Sequence, residues 1–275
     1  MCAAARVIKK IKMKWRVLGM TSVDDELFVL LDRDNNQVAV YSINDYHLLR
    51  RLNLPGLKSR DMTSCVRHKC LYMSDEDNSC IQRYHLASSA ISKWSVPGSP
   101  FGLSVTRKCN LLVVTRPRHD WLTYKPNNVV ELSADSGQWV RIVALLSDIE
   151  KPCHGVQLTT RLTSKLVVCH SATDEDLHRV CVVGNGGTVK RSYGGQCGSD
   201  VGQLDCPCHL AVDKDSQFIF VADQNNNRVV LLSPKLKFVR YISEGLSLPC
   251  RLYLHQATRR LFVGQWKEGV TVIQL

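Results

Sequence analysis

Residues 198–242 read GSDVGQLDCPCHLAVDKDSQFIFVADQNNNRVVLLSPKLKFVRYI, and this stretch decides the fold. Four short runs rich in β-branched and aromatic residues follow one another: HLAV at 209–212, FIFVA at 218–222, RVVLL at 228–232 and KFVRYI at 237–242. Between them stand Asp-Lys-Asp-Ser, Asp223 with an Asn-rich segment, and Ser-Pro-Lys, residues that favour turns because they bond nearby backbone or fix φ. The pattern is a four-stranded meander. Alone, such a unit cannot bury both its faces, so the chain is expected to repeat it.

The repeat is present. The second strand and its closing residue, 219–223 (IFVAD), return at 28–32 (FVLLD), 71–75 (LYMSD), 112–116 (LVVTR), 166–170 (LVVCH) and 261–265 (LFVGQ). Successive copies lie 43, 41, 54, 53 and 42 residues apart. A proline opens the first strand of the later units, at Pro100, Pro152, Pro207 and Pro249. Units of about 40–50 residues with four strands each are propeller blades; solenoids of that period are helical, and no long i, i+3, i+4, i+7 apolar pattern occurs. The expectation is an all-β, six-bladed β-propeller, a single domain over residues 1–275. Its blades span about 18–53, 61–95, 101–144, 154–192, 209–242 and 250–275. Residues 11–17 alternate Ile11, Met13, Trp15 and Val17 with Lys12, Lys14 and Arg16, a half-buried strand by period. The last unit is one strand short, so 11–17 is expected to complete it from outside and close the ring.

The segment 198–229, G-x-x-x-G-Q-L-x-x-P-x-x-L-A-V-D…I-F-V-A-D-x-x-N-N-R-V, resembles a full NHL repeat. The match is strong for this blade, fair at 26–53 and 250–275, and weak over 111–192. The resemblance implies a six-bladed propeller of the kind often found at the C-terminus of tripartite-motif (RING/B-box) ubiquitin ligases. Some such domains bind proteins on one loop face, and others bind RNA there.

At 275 residues and 44% apolar content, the chain is long enough for a large single core. No run of roughly 18 apolar residues is present, so no membrane span is expected. The first residues, MCAAARVIKKIKMKW, lack the apolar region of a secretory signal. The twelve cysteines are therefore read as reduced thiols of a cytoplasmic protein. Of the net charge of +11, Arg6, Lys9, Lys10, Lys12, Lys14 and Arg16 contribute six, so the remainder of the chain is only modestly basic.

No catalytic signature is found: Gly-x-Ser-x-Gly, His-Glu-x-x-His and Gly-x-x-x-x-Gly-Lys are all absent, as are RING and B-box zinc modules. Asp32, Asp75 and Asp223 each end a second strand before an Asn-rich turn. A calcium loop starting at Asp32 would need Gly and Glu where Gln37 and Ile43 stand, so these carboxylates are read as structural, each accepting backbone N–H groups of its own turn. Cys153, Cys208 and Cys250 follow the blade prolines and precede His154, His209 and Arg251, all near one mouth of the channel. Among NHL-type propellers, the amidating lyases hold zinc with a His beside this proline. The three thiols and two imidazoles are thus the one metal candidate, against the plainer reading of small residues packed where blades converge. No cofactor is expected.

What remains is the loop face. It is expected to carry Arg33, Arg116, Arg118, His119, Trp121, Tyr124, Lys125, Arg251, Trp266 and Lys267, the residue types that dominate binding surfaces. The reading is a monomeric, non-enzymatic module that recruits a protein partner, such as a ubiquitination substrate, on this face. Single-stranded RNA is the second reading, and a metal-dependent propeller lyase or hydrolase is a distant third.

Overall fold

The computed structural model describes residues 5–32, 37–54, 56–117, 127–145, 149, 152–159, 164–170, 177–184 and 186–275. These form six four-stranded antiparallel sheets, with no helix among the described residues and hence none long and apolar enough to cross a membrane. Within each sheet the strands run a, b, c, d outward from the centre. The inner strands of blades I to VI are Val17–Val23, Ser59–Cys65, Ser99–Val105, Pro152–Thr159, Pro207–Val212 and Pro249–His255. Each packs beside the inner strands of both flanking blades, and blade VI meets blade I, so the six surround a central channel. The protein is the six-bladed propeller that its repeats predict.

The ring closes as expected, but with an earlier segment. Arg6–Ile11 pairs antiparallel with Val270–Gln274, from Arg6 opposite Gln274 to Ile11 opposite Val270. It thereby becomes the outer strand of blade VI, whereas Val17 already belongs to the inner strand of blade I. Residues 12–16 are the connection from rim to centre. Their alternation is real but has another cause: Ile11, Met13, Trp15 and Val17 all pack on the core between blades VI and I. The true outer strand shows little pattern because Arg6, Val7, Ile8, Lys9 and Lys10 are all exposed.

Six apolar clusters occupy the six junctions between blades. A strand buried on both faces reads as a continuous apolar run rather than an alternating one, which is why the second strands stand out in the sequence. In blade I, Leu27, Val29 and Leu31 face blade VI, while Phe28 and Leu30 face blade II. In blade II, Leu71 and Met73 face back toward blade I, and Tyr72 faces forward.

This facing corrects the motif alignment by one residue in two blades. The position of Asp75 and Asp223 is taken in blade I by Leu31 and in blade III by Thr115, not by Asp32 and Arg116. A one-residue shift reverses the face on which a side chain lies. Asp75 and Asp223 are accordingly buried, and Asp32 is exposed one residue beyond its strand. Asp75 does cap its own turn, accepting from the Asn78 N–H at 3.2 Å, and also from the Asn78 and Gln82 side-chain amides. Asp223 departs from the expectation: its backbone donor is Asp205, in the loop entering blade V, at 2.7 Å.

Candidate functional site

Each inner strand carries a β-bulge near its start, where two residues oppose one on strand b. Bulges re-aim side chains. The residue after the bulge occupies one equivalent place in all six blades: Gly19, Asp61, Gly102, His154, His209 and Arg251. At the two glycines the next blade comes too close for a side chain. A Cβ on Gly19 would lie 2.5 Å from Met62 N, and one on Gly102 would lie 2.3 Å from the Cys153 carbonyl oxygen. The other four side chains meet inside the channel.

Their bonds cross from blade to blade. Asp61 accepts the Leu103 N–H at 2.8 Å and the Met62 N–H at 2.8 Å. His154 donates through Nε2 to the Leu103 carbonyl at 2.8 Å and accepts the Leu210 N–H on Nδ1 at 3.4 Å. His209 lies stacked on His154 with ring centroids 3.8 Å apart, and its Nδ1 accepts the Leu252 N–H at 3.3 Å. Arg251 donates to three carbonyls, those of Leu18 at 2.5 Å, Cys250 at 2.6 Å and Arg60 at 2.7 Å. Its Nε lies 3.7 Å from Asp61 Oδ1, while His154 and His209 Nε2 lie 3.8 and 3.6 Å from Asp61 Oδ2. All four residues are buried, Asp61 at 1% exposure. The result is a polar plug that staples the blades together.

Burial sets the charge states. It pushes the His154 pKa down to about 3, with His209 adding to the effect. Burial likewise holds His209 well below the ordinary range, reinforced by the Arg251 charge. Burial raises the Asp61 carboxyl, although Arg251 and His154 oppose it. Burial works most strongly against the Arg251 charge, but Asp61 together with Cys250, Cys208 and Cys153 outweighs it and keeps the pKa above the free value.

Asp61, His154 and His209 have donor atoms close enough to surround an ion. The residues nevertheless do not fit a metal. Both Nδ1 atoms accept backbone N–H groups, so the neutral rings carry their proton on Nε2, the nitrogen nearer Asp61. A metal needs a lone pair there. Arg251 already supplies the countercharge. The three cysteines of the sequence-based candidate set do not join the cluster. Cys208 Sγ lies against the carbonyls of Pro249 and Cys250 at 3.5 and 3.6 Å, Cys250 Sγ against those of Val17 and Gly264 at 3.4 Å each, and Cys153 in the core between blades IV and V. Asp61 escapes the sequence reading because blade II has Ser59-Arg60-Asp61 where later blades have Pro-Cys-His, with no proline to set the register.

On the other side of the plug the channel widens into a cavity of about 200 Å³, lined by Thr21, Ser64, Ser104 and Tyr253, toward the a–b turns at Arg107 and Lys214. On the opposite face, formed by the b–c turns and d–a loops, stand Arg116, Trp266 and Lys267. Arg33, Arg118, His119, Trp121, Tyr124 and Lys125 lie outside the described residues. Arg251 is not on that face but within the plug, 6% exposed. Arg116 is folded inward, its guanidinium 3.8 Å over the Phe101 ring and donating to the Pro152 carbonyl at 2.9 Å.

The face also holds a residue that the sequence reading assigns to the closing strand. Arg16 stacks on Trp266, its guanidinium carbon 3.7 Å from the ring centroid, and Trp266 is 39% exposed. Its Nε is buried with no hydrogen-bond partner. Burial lowers the Arg16 pKa and the Arg251 charge lowers it further, with Cys250 and Asp32 opposing. Neighbouring cations are already paired, Arg60 with Glu76 and Lys58 with Asp77. Among the described residues Arg16 forms no ion pair.

Fold and site together define the chain as a closed six-bladed propeller with a plugged channel and a cationic–aromatic mouth. No family model matches the sequence, and no curated protein is similar to it in sequence. Solved structures match in fold. A catalytically inactive variant of virginiamycin B lyase from Staphylococcus aureus with quinupristin aligns over 98% of this chain and 99% of its own, with TM-score 0.63 and 9% identity. The Myceliophteria thermophila Cps50 (Swd1) β-propeller domain aligns over 94% and 83%, with TM-score 0.62 and 10% identity. Kuenenia stuttgartiensis hydrazine synthase aligns over 96% and 97%, with TM-score 0.65 and 10% identity. At such identities the likeness extends to the fold alone.

Proposed function

We propose that this propeller is a non-catalytic interaction module that takes a protein partner on its b–c and d–a face, through an acidic side chain seated at the channel mouth. The observation that carries the reading is Arg16: a partly desolvated guanidinium, stacked on a half-exposed tryptophan, influenced by the Asp32 carboxylate but forming no ion pair among the described residues. A buried charge without a partner is costly, and a ligand carboxylate would relieve that cost while stacking against Trp266. The sealed plug supports a surface role, since its histidines turn protonated nitrogens toward Asp61 and leave no lone pair for a metal or general base. The NHL-like segment at 198–229 is consistent with a cytoplasmic adaptor of the tripartite-motif type.

Titration of a fluorescent Asp/Glu-rich peptide and of an oligouridylate, each at several salt concentrations, tests the proposal. The peptide is expected to bind, and Arg16→Ala or Trp266→Ala to weaken it about tenfold or more, the scale of one charge-assisted contact. Tighter, steeply salt-dependent binding of the oligouridylate would favour RNA instead. Binding of neither probe, or peptide binding indifferent to both substitutions, would overturn the reading.

A further inference from the structure

A second cluster of ligand-type side chains lies in the loop that carries blade IV into blade V. His178, at the start of a strand of blade IV, faces Cys197 and Asp205, and their donor atoms all lie within 4.8 Å of one another. His178 Nδ1 and Asp205 Oδ1 are 3.4 Å apart. Ligand bonds of about 2.0–2.1 Å in a tetrahedral arrangement hold nitrogen and oxygen ligands roughly 3.3–3.4 Å apart, so this pair already has the spacing of two zinc ligands.

The protonation pattern is opposite to that of the plug. His178 Nδ1 accepts the Cys206 N–H at 3.1 Å, so the nitrogen nearest the carboxylate is the one with a lone pair and no proton. Asp205 Oδ1 faces that side of the ring. A cation placed between them would be held by the carboxylate and, in exchange for the Cys206 N–H, by the ring nitrogen. No Lys or Arg among the described residues forms an ion pair with Asp205, whereas in the plug Arg251 plays that part. The Asn225 side-chain amide holds the same Asp205 oxygen at 2.9 Å, the outer support that ligating carboxylates use.

The loop is also built before any ion arrives. Cys197 bridges to Leu204, which is fully buried in the core between blades IV and V. Arg228 donates to the carbonyls of Ser199 at 2.6 Å and Gln203 at 3.2 Å, and Asn226 to that of Gly198 at 2.9 Å. Tyr193 accepts the Gly202 N–H at 3.0 Å, and Asp223 fixes the backbone of Asp205. Ligands on a loop already fixed in place bind with little further loss of conformational entropy.

We infer that His178, Cys197 and Asp205 form a zinc site that pins the loop between blades IV and V, with Nδ1, Sγ and one carboxylate oxygen as ligands and a fourth position open to water. On binding, the Cys197 thiol gives up its proton to solvent, and the Cys206 N–H yields its place on Nδ1 to the metal. Thiolate and carboxylate together neutralise the divalent charge.

The test uses the full chain, stripped with a chelator, dialysed against zinc and assayed by elemental analysis and thermal unfolding. The expected result is one zinc per chain and a raised unfolding midpoint on adding zinc. Both are expected to be lost in Cys197→Ala and in His178→Gln, and retained in His209→Gln. Cobalt substitution adds a readout independent of stability: a thiolate-to-cobalt charge-transfer band is expected in the wild type and absent in Cys197→Ala. Absence of stoichiometric zinc, its persistence in both loop variants, or its loss only in His209→Gln would overturn the assignment.

Discussion

Lowering the pH should weaken this propeller through its plug, and His154 sets the size of the effect. Its pKa is 6.5 when unfolded and about 3 when folded, so the folded state keeps the ring neutral while the unfolded chain takes up a proton. A depressed histidine pKa contributes stability that is complete above 6.5 and is lost as the pH falls toward 3. Between about pH 7.5 and 5.0 the loss from His154 alone is roughly 2 kcal/mol. For a domain of this size that corresponds to a fall of about 4–8 °C in the unfolding midpoint. His209 acts in the same direction, because burial and Arg251 hold its pKa down as well. Asp61 acts oppositely: its raised pKa gives stability that is greatest in acid and declines as the pH rises. The decisive comparison is His154→Gln, whose amide can still donate to the Leu103 carbonyl and accept the Leu210 N–H but does not titrate. Calorimetry at the two pH values should find the wild type losing about 4–8 °C more than the variant. Equal losses in the two proteins would refute the claim that a neutral, buried His154 holds the blades together.

Three further outcomes follow from the same geometry. Arg251→Met leaves Asp61 charged and buried without its partner, so it should cost about 3–5 kcal/mol in denaturant titration, and adding Asp61→Asn should recover part of that loss; a double variant no better than the single one would deny their coupling. Gly102→Ala puts a methyl 2.3 Å from the Cys153 carbonyl oxygen and 2.8 Å from His154 Cα, both backbone atoms. It should cost about 1–3 kcal/mol, while Gly186→Ala, with nothing within 4 Å, should be near neutral by the same titration. Deleting residues 1–11 exposes the edge of Val270–Gln274 and should convert a monodisperse protein into self-associating species on size-exclusion chromatography; an unchanged elution volume would show that closure is dispensable.

The sequence carries the ring more openly than it carries the site, and the reason is physical. Strands buried on both faces are apolar over a continuous run of positions, so FVLL, LYM, LVV and IFVA are visible as repeats whatever the rest of the blade does. The plug positions share no single chemistry, since Gly19, Asp61, Gly102, His154, His209 and Arg251 span glycine, acid, imidazole and guanidinium at one equivalent place. That place is set by a bulge, which adds one residue and erases the period-two signal at the very point where the channel begins. His154, His209 and Arg251 are legible because a proline stands two residues before each. Asp61 is not, because Ser59 stands there instead. The slip at Asp32 and Arg116 is of a related kind, a polar residue just past the strand or at its last position standing in for the buried one before it. Arg16 is hidden differently: by composition it is one more cation in a basic segment, and only the chain's turn from rim to centre lays it on Trp266.

The two histidine clusters show why proximity alone does not identify a site. Both bring imidazole and carboxylate within about 4 Å, and both are fixed by backbone donors. They differ in which nitrogen faces the carboxylate and in whether a guanidinium is present. In the channel, protonated nitrogens and Arg251 complete the charge balance, so the cluster is finished without a ligand and serves to hold six sheets together. At the loop into blade V, a ring nitrogen that accepts the Cys206 N–H lies beside a carboxylate and a thiol, and no Lys or Arg among the described residues forms an ion pair with that carboxylate. At the mouth, Arg16 has Asp32 nearby but forms no ion pair among the described residues. On the loop face, then, the proposed zinc site and the proposed seat for an acidic partner differ in sign, the one built on a carboxylate and the other on a guanidinium, while the plug in the interior is already balanced.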